Sequence, residues 1–594
     1  MGHVMHERGV LGRIILVTVF LGMAFIGLAG NLTRLHLGNH SKVGKHGFSR
    51  ALVAKRGDIY SRDGKQSSPL ARDLLSYHFY LDPVSVATNR NHTPEKIAKV
   101  IAAHLPLSEE EALAKFSDKT SFGRVNRHNK LGFSYDSSVV AALITNTVSG
   151  ISYKTVPVRI NPQGARMAPV LGFVNSLGVA SGGVEAYYNE QLKGTDGEIV
   201  GVLDAKQREI YHKRKQHILP VAGNDVFLTI DNNIQYAAEC ELKNVVEAYD
   251  ALGAWIIVQH VQTGAILAMA SVDAGVGKED AESNEEYWRN KAISVSYEPG
   301  SVMKALTVAA ALNEGIIKTD TLFDVGSGIW YYRGIPLRDH VTGVISLETV
   351  LKKSSNIVCA QLGVSLGEIR FTNYMKGFNF GSRLGIDLPG EESGILPLPG
   401  NKKFWDPIKI SRMPIGQGVS VTGLQMINAY SMLANQGLLL KPYIVAKIVS
   451  PEGEVIYKAQ PTVIGRPIRP EVARDVCKML QSVTEHDGTG SRAAISGYST
   501  AGKTGTAQKA GKGGYSTTDY YASFVGFVPV SKPVFSVLVS VDRPRPQHTG
   551  SKIAAPIFAK IASVTARRLE VEPDMLTDEM IRESRQGVAR ISGN

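Results

Sequence analysis

The 594-residue sequence predicts an α+β fold, in more than one folded domain, behind a single apolar N-terminal segment. Three observations carry that prediction. Short β-branched runs alternate irregularly with helical stretches along the whole chain, two strand pairs flank a long helix-rich middle, and residues 14–30 contain one polar side chain, Thr18. A chain of this length exceeds one ordinary core, so each part must bury its own.

Residues 14–30, IILVTVFLGMAFIGLAG, would form a helix about 26 Å long, just short of the roughly 30 Å hydrocarbon layer of a bilayer. Adding residues 10–12, with Arg13 extending its charged end to the interface, closes the gap. The expected arrangement is a cytoplasmic tail over 1–9 and a transmembrane helix over 10–32. A cleaved signal peptide, with Gly27 and Ala29 at the peptidase site, and a buried core helix are the other readings. Arg8 and Arg13 precede the segment, but Lys42, Lys45 and Arg50 follow it, so charge alone does not orient it.

Residues 33–220 read as an irregular α+β module, with β-rich runs at 76–81, 151–160 and 198–203, helical stretches at 94–105 and 108–116, and a short helix at 184–192. No nucleophile or metal constellation is visible there. Pro220-Val-Ala-Gly-Asn224 punctuates the chain before a strand at 225–230 and a helix at 233–246. A second domain, 221–574, then opens with a hairpin (254–260 and 265–271) and closes with another (521–528 and 534–541). A sheet assembled from both ends of this domain, with helices inserted between, fits that order. An acidic loop lies within 276–288, and residues 575–594 form a polar tail.

Composition narrows the function. Hydrophobic residues are 43% and charged residues 20%, which excludes both a membrane bundle and a disordered polyelectrolyte. The net charge of +12 is spread without a block of like charges, so a soluble surface is the first reading and no nucleic-acid partner is expected. Cys240, Cys359 and Cys477 are far apart and lack Cys-x-x-Cys spacing, so neither a disulfide scaffold nor a metal site is expected, and no cofactor.

Chemistry concentrates in three short motifs. In Glu298-Pro-Gly-Ser-Val-Met-Lys304 the Pro-Gly pair stops the preceding segment and an Ala- and Leu-rich helix follows, which places Ser301 at a helix start with its N–H free. Lys304 falls one turn below on the same face, and a desolvated lysine is able to lose its proton near neutrality and serve as base toward a serine hydroxyl. Alone, Ser-x-x-Lys is a chance pattern. It is followed, however, by Ser354-Ser355-Asn356 and by Lys503-Thr504-Gly505-Thr506. Ser354 is assigned as the proton relay to a leaving amine, and Asn356, donor and acceptor at once, as the holder of Lys304 and a substrate amide. Lys503, Thr504 and Thr506 are assigned to a substrate carboxylate, and Gly505 to the close approach of a substrate backbone along a strand edge. The N–H groups of Ser301 and Thr506 are the expected oxyanion hole.

The three motifs in this order are the pattern of serine β-lactamases and penicillin-binding proteins, and the chain resembles the class B penicillin-binding proteins over nearly its whole length. Arg56-Gly-Asp-Ile-Tyr-Ser-Arg-Asp-Gly64, Gly183-Val-Glu-Ala-Tyr-Tyr-Asn-Glu-Gln-Leu-Lys-Gly194, Leu228-Thr-Ile-Asp231 and Gly416-Gln-Gly-Val-Ser-Val-Thr-Gly-Leu-Gln425 carry the rest of the likeness. The resemblance implies an inner-membrane, single-pass protein with an extracytoplasmic pedestal (dimerisation) domain and a transpeptidase domain on a five-stranded antiparallel sheet flanked by helices. It also implies a peptidoglycan D,D-transpeptidase that cross-links D-Ala-D-Ala stem peptides and is acylated by β-lactams. Expected partners are a membrane-embedded glycan polymerase, division proteins and, through the N-terminal helix, lipid.

Tyr521-Ala-Ser-Phe-Val-Gly-Phe-Val-Pro529 and Asn356 resemble the septal members more than the elongation members. Ser355 stands where the signature has Asp, and Val302 and Met303 replace the commoner Thr and Phe. The rivals are an elongation enzyme, a β-lactamase, which lacks a Glu-x-x-Leu-Asn stretch here, and a non-catalytic β-lactam sensor or scaffold. A bifunctional polymerase is a further rival, for which residues 33–220 show no paired catalytic glutamates.

Overall fold

The structure is a computed structural model that describes residues 47–575 apart from 67, 88–92, 122, 146–149, 176–177, 204–208, 275–287, 402 and 512–513. The apolar segment 10–32, nearly all of the acidic loop and all but the first residue of the polar tail lie outside the described residues. Among those described, no helix is long and apolar enough to cross a membrane. The chain forms two compact units, one made of Lys193–Gly223 with the chain up to Arg56, the other of Gly57–Leu192 with Asn224 onward.

In the first unit, strands Gly47–Leu52 and Gln216–Ile218 pair antiparallel on either side of Gly197–Val202. Alternate residues of that central strand are buried, the period-2 signature of a sheet with one covered face.

The second unit opens with a three-stranded antiparallel sheet in which Arg72–Leu81 lies between Asn129–Ser134 and Ile151–Ile160. Helix Pro94–His104 starts where Thr93 accepts the N–H of Lys96 and Pro94 supplies a helical φ, and it buries Ile97, Ala98 and Ile101 against Phe79 and Leu81 of the sheet. The single short helix expected at 184–192 is two, Gly183–Tyr187 and Asn189–Leu192, broken at Tyr188.

The larger part is built on five antiparallel strands: β1 (Gly253–His260), β2 (Ile266–Asp273), β3 (Ala501–Gly511), β4 (Gly514–Val528) and β5 (Phe535–Asp542), in spatial order β2-β1-β5-β4-β3. From Ala254 to Val258 strand β1 reads as an unbroken apolar run because both faces are covered. Ala254, Ile256 and Val258 join one core with helices α1 (Asn232–Ala248) and α6 (Ala554–Arg568). Trp255 and Ile257 join the other with α2 (Lys304–Asn313), α3 (Asn356–Gly377), α4 (Gly423–Ala434) and α5 (Pro470–Ser482). Helix α2 is buried on all sides from Lys304 to Leu312, which its run of alanines permits.

Strand β3, at the sheet edge, carries the third motif. It pairs with β4 from Ala501↔Phe527 to Gly511↔Gly514, so Lys503, Thr504, Gly505 and Thr506 lie inside a strand that residue type alone does not announce.

Candidate active site

Ser301 sits half-buried in a 3₁₀ turn, Gly300–Met303, rather than in the first turn of the α-helix, which begins at Lys304. The turn is wedged against two neighbours. The Gly300 N–H donates to the Gly416 carbonyl at 3.1 Å, and Gly300 itself has φ +59°, a region open to glycine. A Cβ on Gly300 would lie 3.0 Å from the Ala507 Cβ of β3. The nucleophile turn and the strand edge are therefore in contact.

Lys304 is 1% exposed and spends its donors on the second motif. Its Nζ donates to the Ser354 carbonyl at 2.6 Å, to Ser354 Oγ at 3.0 Å and to Asn356 Oδ1 at 2.7 Å. Ser354 turns both of its oxygens to one amine because it adopts a left-handed φ of 64° between helix Leu347–Lys352 and α3. That conformation is strained for a residue with a Cβ. None of Lys304's three bonds goes to Ser301. Burial pushes the Lys304 ammonium down to about 8, against the opposing pull of Cys359 and Asp339. A neutral amine keeps two of these bonds and frees a lone pair, which is what a base for a neighbouring hydroxyl requires.

Lys503 is fully buried, and among the described residues its Nζ reaches the Thr504 carbonyl at 3.3 Å and Thr504 Oγ1 at 3.5 Å. Burial first, and then the charge of Lys304, hold it well below the usual lysine range. Two buried amines thus share a region with little negative charge. Thr504 donates to Thr489 Oγ1 at 3.4 Å, and exposed Thr506 accepts the Gly550 N–H at 3.2 Å. At Gly505 a Cβ would lie 2.3 Å from Ser523 Oγ and 3.2 Å from the Pro299 carbonyl, so packing inside the protein already requires glycine there.

Two residues escaped the sequence reading. Glu298 accepts the Gly418 N–H at 3.0 Å and the Tyr515 hydroxyl at 3.3 Å, tying the nucleophile turn to the 416–418 loop and to β4, and burial raises its carboxyl. Asp339, at the end of a hairpin (Ile329–Tyr332 with Ile335–Arg338), accepts from Ser355 and from the N–H groups of Asn356 and Ile357 at 3.1 and 3.2 Å. Glu298 opens the nucleophile stretch but its residue type and spacing assign it no role, and Asp339 lies in none of the three motifs.

The penicillin binding protein transpeptidase domain matches residues 254–563, and the penicillin-binding protein dimerisation domain matches residues 51–228. Stage V sporulation protein D of Bacillus subtilis is 32% identical over 544 residues, which cover 90% of this chain and 81% of that protein. Peptidoglycan D,D-transpeptidase FtsI of Escherichia coli is 27% identical over 94% of this chain and 92% of its own. Among solved structures, penicillin binding protein 3 of Mycobacterium tuberculosis, complexed with aztreonam, superposes with a TM-score of 0.65 at 25% identity, covering 89% of this chain and all of that one. The chain belongs to the class B penicillin-binding proteins.

Proposed function

We infer that the chain is a peptidoglycan D,D-transpeptidase that cross-links stem peptides through an acyl-enzyme on Ser301. The observation that supports it most is the buried Lys304 amine, held by Ser354 and Asn356 one turn below the serine. Neutral Lys304 takes the Ser301 proton as Oγ attacks the D-Ala-D-Ala carbonyl, and the N–H groups of Ser301 and Thr506 receive the oxyanion. Collapse breaks the C–N bond. Ser354 relays the proton to the departing D-alanine amine, leaving an ester on Ser301. An amine of a neighbouring stem then attacks the ester, forms the new amide and returns the proton to Ser301.

The substrate carboxylate pairs with Lys503, and the hydroxyls of Thr504 and Thr506 complete its binding. A β-lactam would enter the same sequence but carry no departing amine. The related mycobacterial protein complexed with aztreonam supports that reading.

The finer assignments follow the same reading: a membrane helix over 10–32, a pedestal over 33–220, a transpeptidase domain over 221–574 outside the cytoplasm, a separate membrane-embedded glycan polymerase, and work at the division septum. Likeness to FtsI and the septal pattern of 521–529 support the last.

The test is a reaction with uncross-linked glycan strands bearing pentapeptide stems, measuring released D-alanine and cross-linked product. The wild type releases the two in parallel and Ser301→Ala releases neither. Equal product from the variant sinks the inference.

A further inference from the structure

The second motif is held from outside by the carboxylate of Asp339. Asp339 Oδ1 accepts the N–H of Asn356 and of its own neighbour His340, each at 3.1 Å. Its Oδ2 accepts the Ser355 hydroxyl and the Ile357 N–H, the latter at 3.2 Å. An ionised carboxylate offers about four acceptor positions and no donor, so these four donors use the group in full. They close the first turn of α3, whose free N–H groups favour negative charge. The preceding residue completes the clamp, because Asn356 Nδ2 donates to the Arg338 carbonyl at 3.0 Å while its Oδ1 receives Lys304 at 2.7 Å. Backbone and side chain of Asn356 are thereby both fixed by residues 338–339.

Charge gives Asp339 a second effect at the same place. The titratable groups that face Lys304 are Cys359 from α3, Lys503 from β3 and Asp339 from the hairpin end. The Cys359 thiol is pushed up to about 11 by burial, hence neutral near pH 7, and Lys503 is a base. The side chains of Arg338 and His340 on either side of Asp339 are exposed. Among the described residues, that leaves Asp339 as the carboxylate acting on Lys304, alongside the Cys359 thiol.

We propose that Asp339 is a positioning residue for the acyl transfer: it fixes Ser355 and Asn356, through Asn356 it sets the place of the Lys304 amine, and it supplies the negative charge facing that amine. The proposal rests on the acyl-enzyme reading above.

The test is the second-order rate of acylation of the full-length chain by a fluorescent penicillin, measured from pH 6 to 10 with thermal unfolding alongside. Asp339→Asn turns an amide against two donors, and a displacement of this size lowers the plateau roughly tenfold to a hundredfold. Removing the charge also moves the acid limb to lower pH, since the negative group favours the ammonium form. Asp339→Glu keeps the charge but shifts the carboxylate by one methylene, so its plateau falls while its limb stays with the wild type's.

A folded Asp339→Asn with an unchanged plateau, or with a lowered plateau and an unmoved limb, overturns the proposal. So does a wild-type plateau in Asp339→Glu, which decides the matter should the Asn variant fail to fold. A wild type that forms no Ser301 adduct sinks the acyl-enzyme reading and this proposal together, whereas a normal wild type beside indifferent variants sinks the Asp339 role alone.

Discussion

Lys304 Nζ lies 2.7 Å from Asn356 Oδ1, across 52 residues of sequence, and both groups are held by further bonds within the protein. The amine is buried and the amide is clamped, so the pair forms a preset bond between the first and second motifs.

Asn356→Ala removes one of three acceptors from a buried amine and frees the Lys304 chain to rotate. Acylation by penicillin falls about a hundredfold, and stability falls by about 1–3 kcal/mol. Stopped-flow acylation and thermal unfolding check the two numbers separately.

The acylation rate depends on pH through Lys304, which burial holds down to about 8. The free base accumulates as pH rises through that value, so the rate climbs and then levels. Between about 8 and the ordinary lysine value of 10.5 the unfolded chain binds more protons than the folded one, so this lysine's contribution to stability rises with pH across that window. A rate profile flat from pH 6 to 10 contradicts the assignment.

Gly505→Ala places a methyl 2.3 Å from Ser523 Oγ and 3.1 Å from Val302 Cγ1. Overpacking of this kind destabilises by about 1–3 kcal/mol and pushes β3 off the nucleophile turn. The variant melts lower and acylates more slowly even with small β-lactams that make no backbone contact at that position.

Glu185→Ala breaks a buried pair outside the three motifs. Arg159 is bonded to Glu185 at 2.6 Å and to Asp73 at 3.3 Å, with the three side chains 6%, 1% and 10% exposed. Leaving the guanidinium half-partnered destabilises by about 3 kcal/mol, read as a lower thermal midpoint, while the folded fraction acylates at the normal rate.

What was readable in the sequence divides by the kind of signal each element leaves. Apolar runs such as Ala254 to Val258 announce a strand because both faces are buried, and the alanine-rich stretch after Lys304 announces a helix because nothing else packs so closely on all sides. Strand β3 left no such signal. Its glycines, alanines and lysines have little intrinsic preference for a strand, and its conformation comes from pairing with β4.

The motifs supplied the residues of the site but not the reasons for them. Gly505 is required by Ser523 and Val302 on neighbouring elements. Ser355, the departure from the signature, donates to Asp339 and accepts the Val358 N–H at 3.2 Å. Asp339 and Glu298 act through contacts made by a hairpin end and a loop, which spacing along the chain does not record.

The most direct measurement is the intact mass of the chain after incubation with benzylpenicillin, followed by peptide mapping of the adduct. One penicilloyl group per chain, located on Ser301 in the wild type and absent from Ser301→Ala, is the predicted result. An adduct on another residue, or one that persists in Ser301→Ala, contradicts the account.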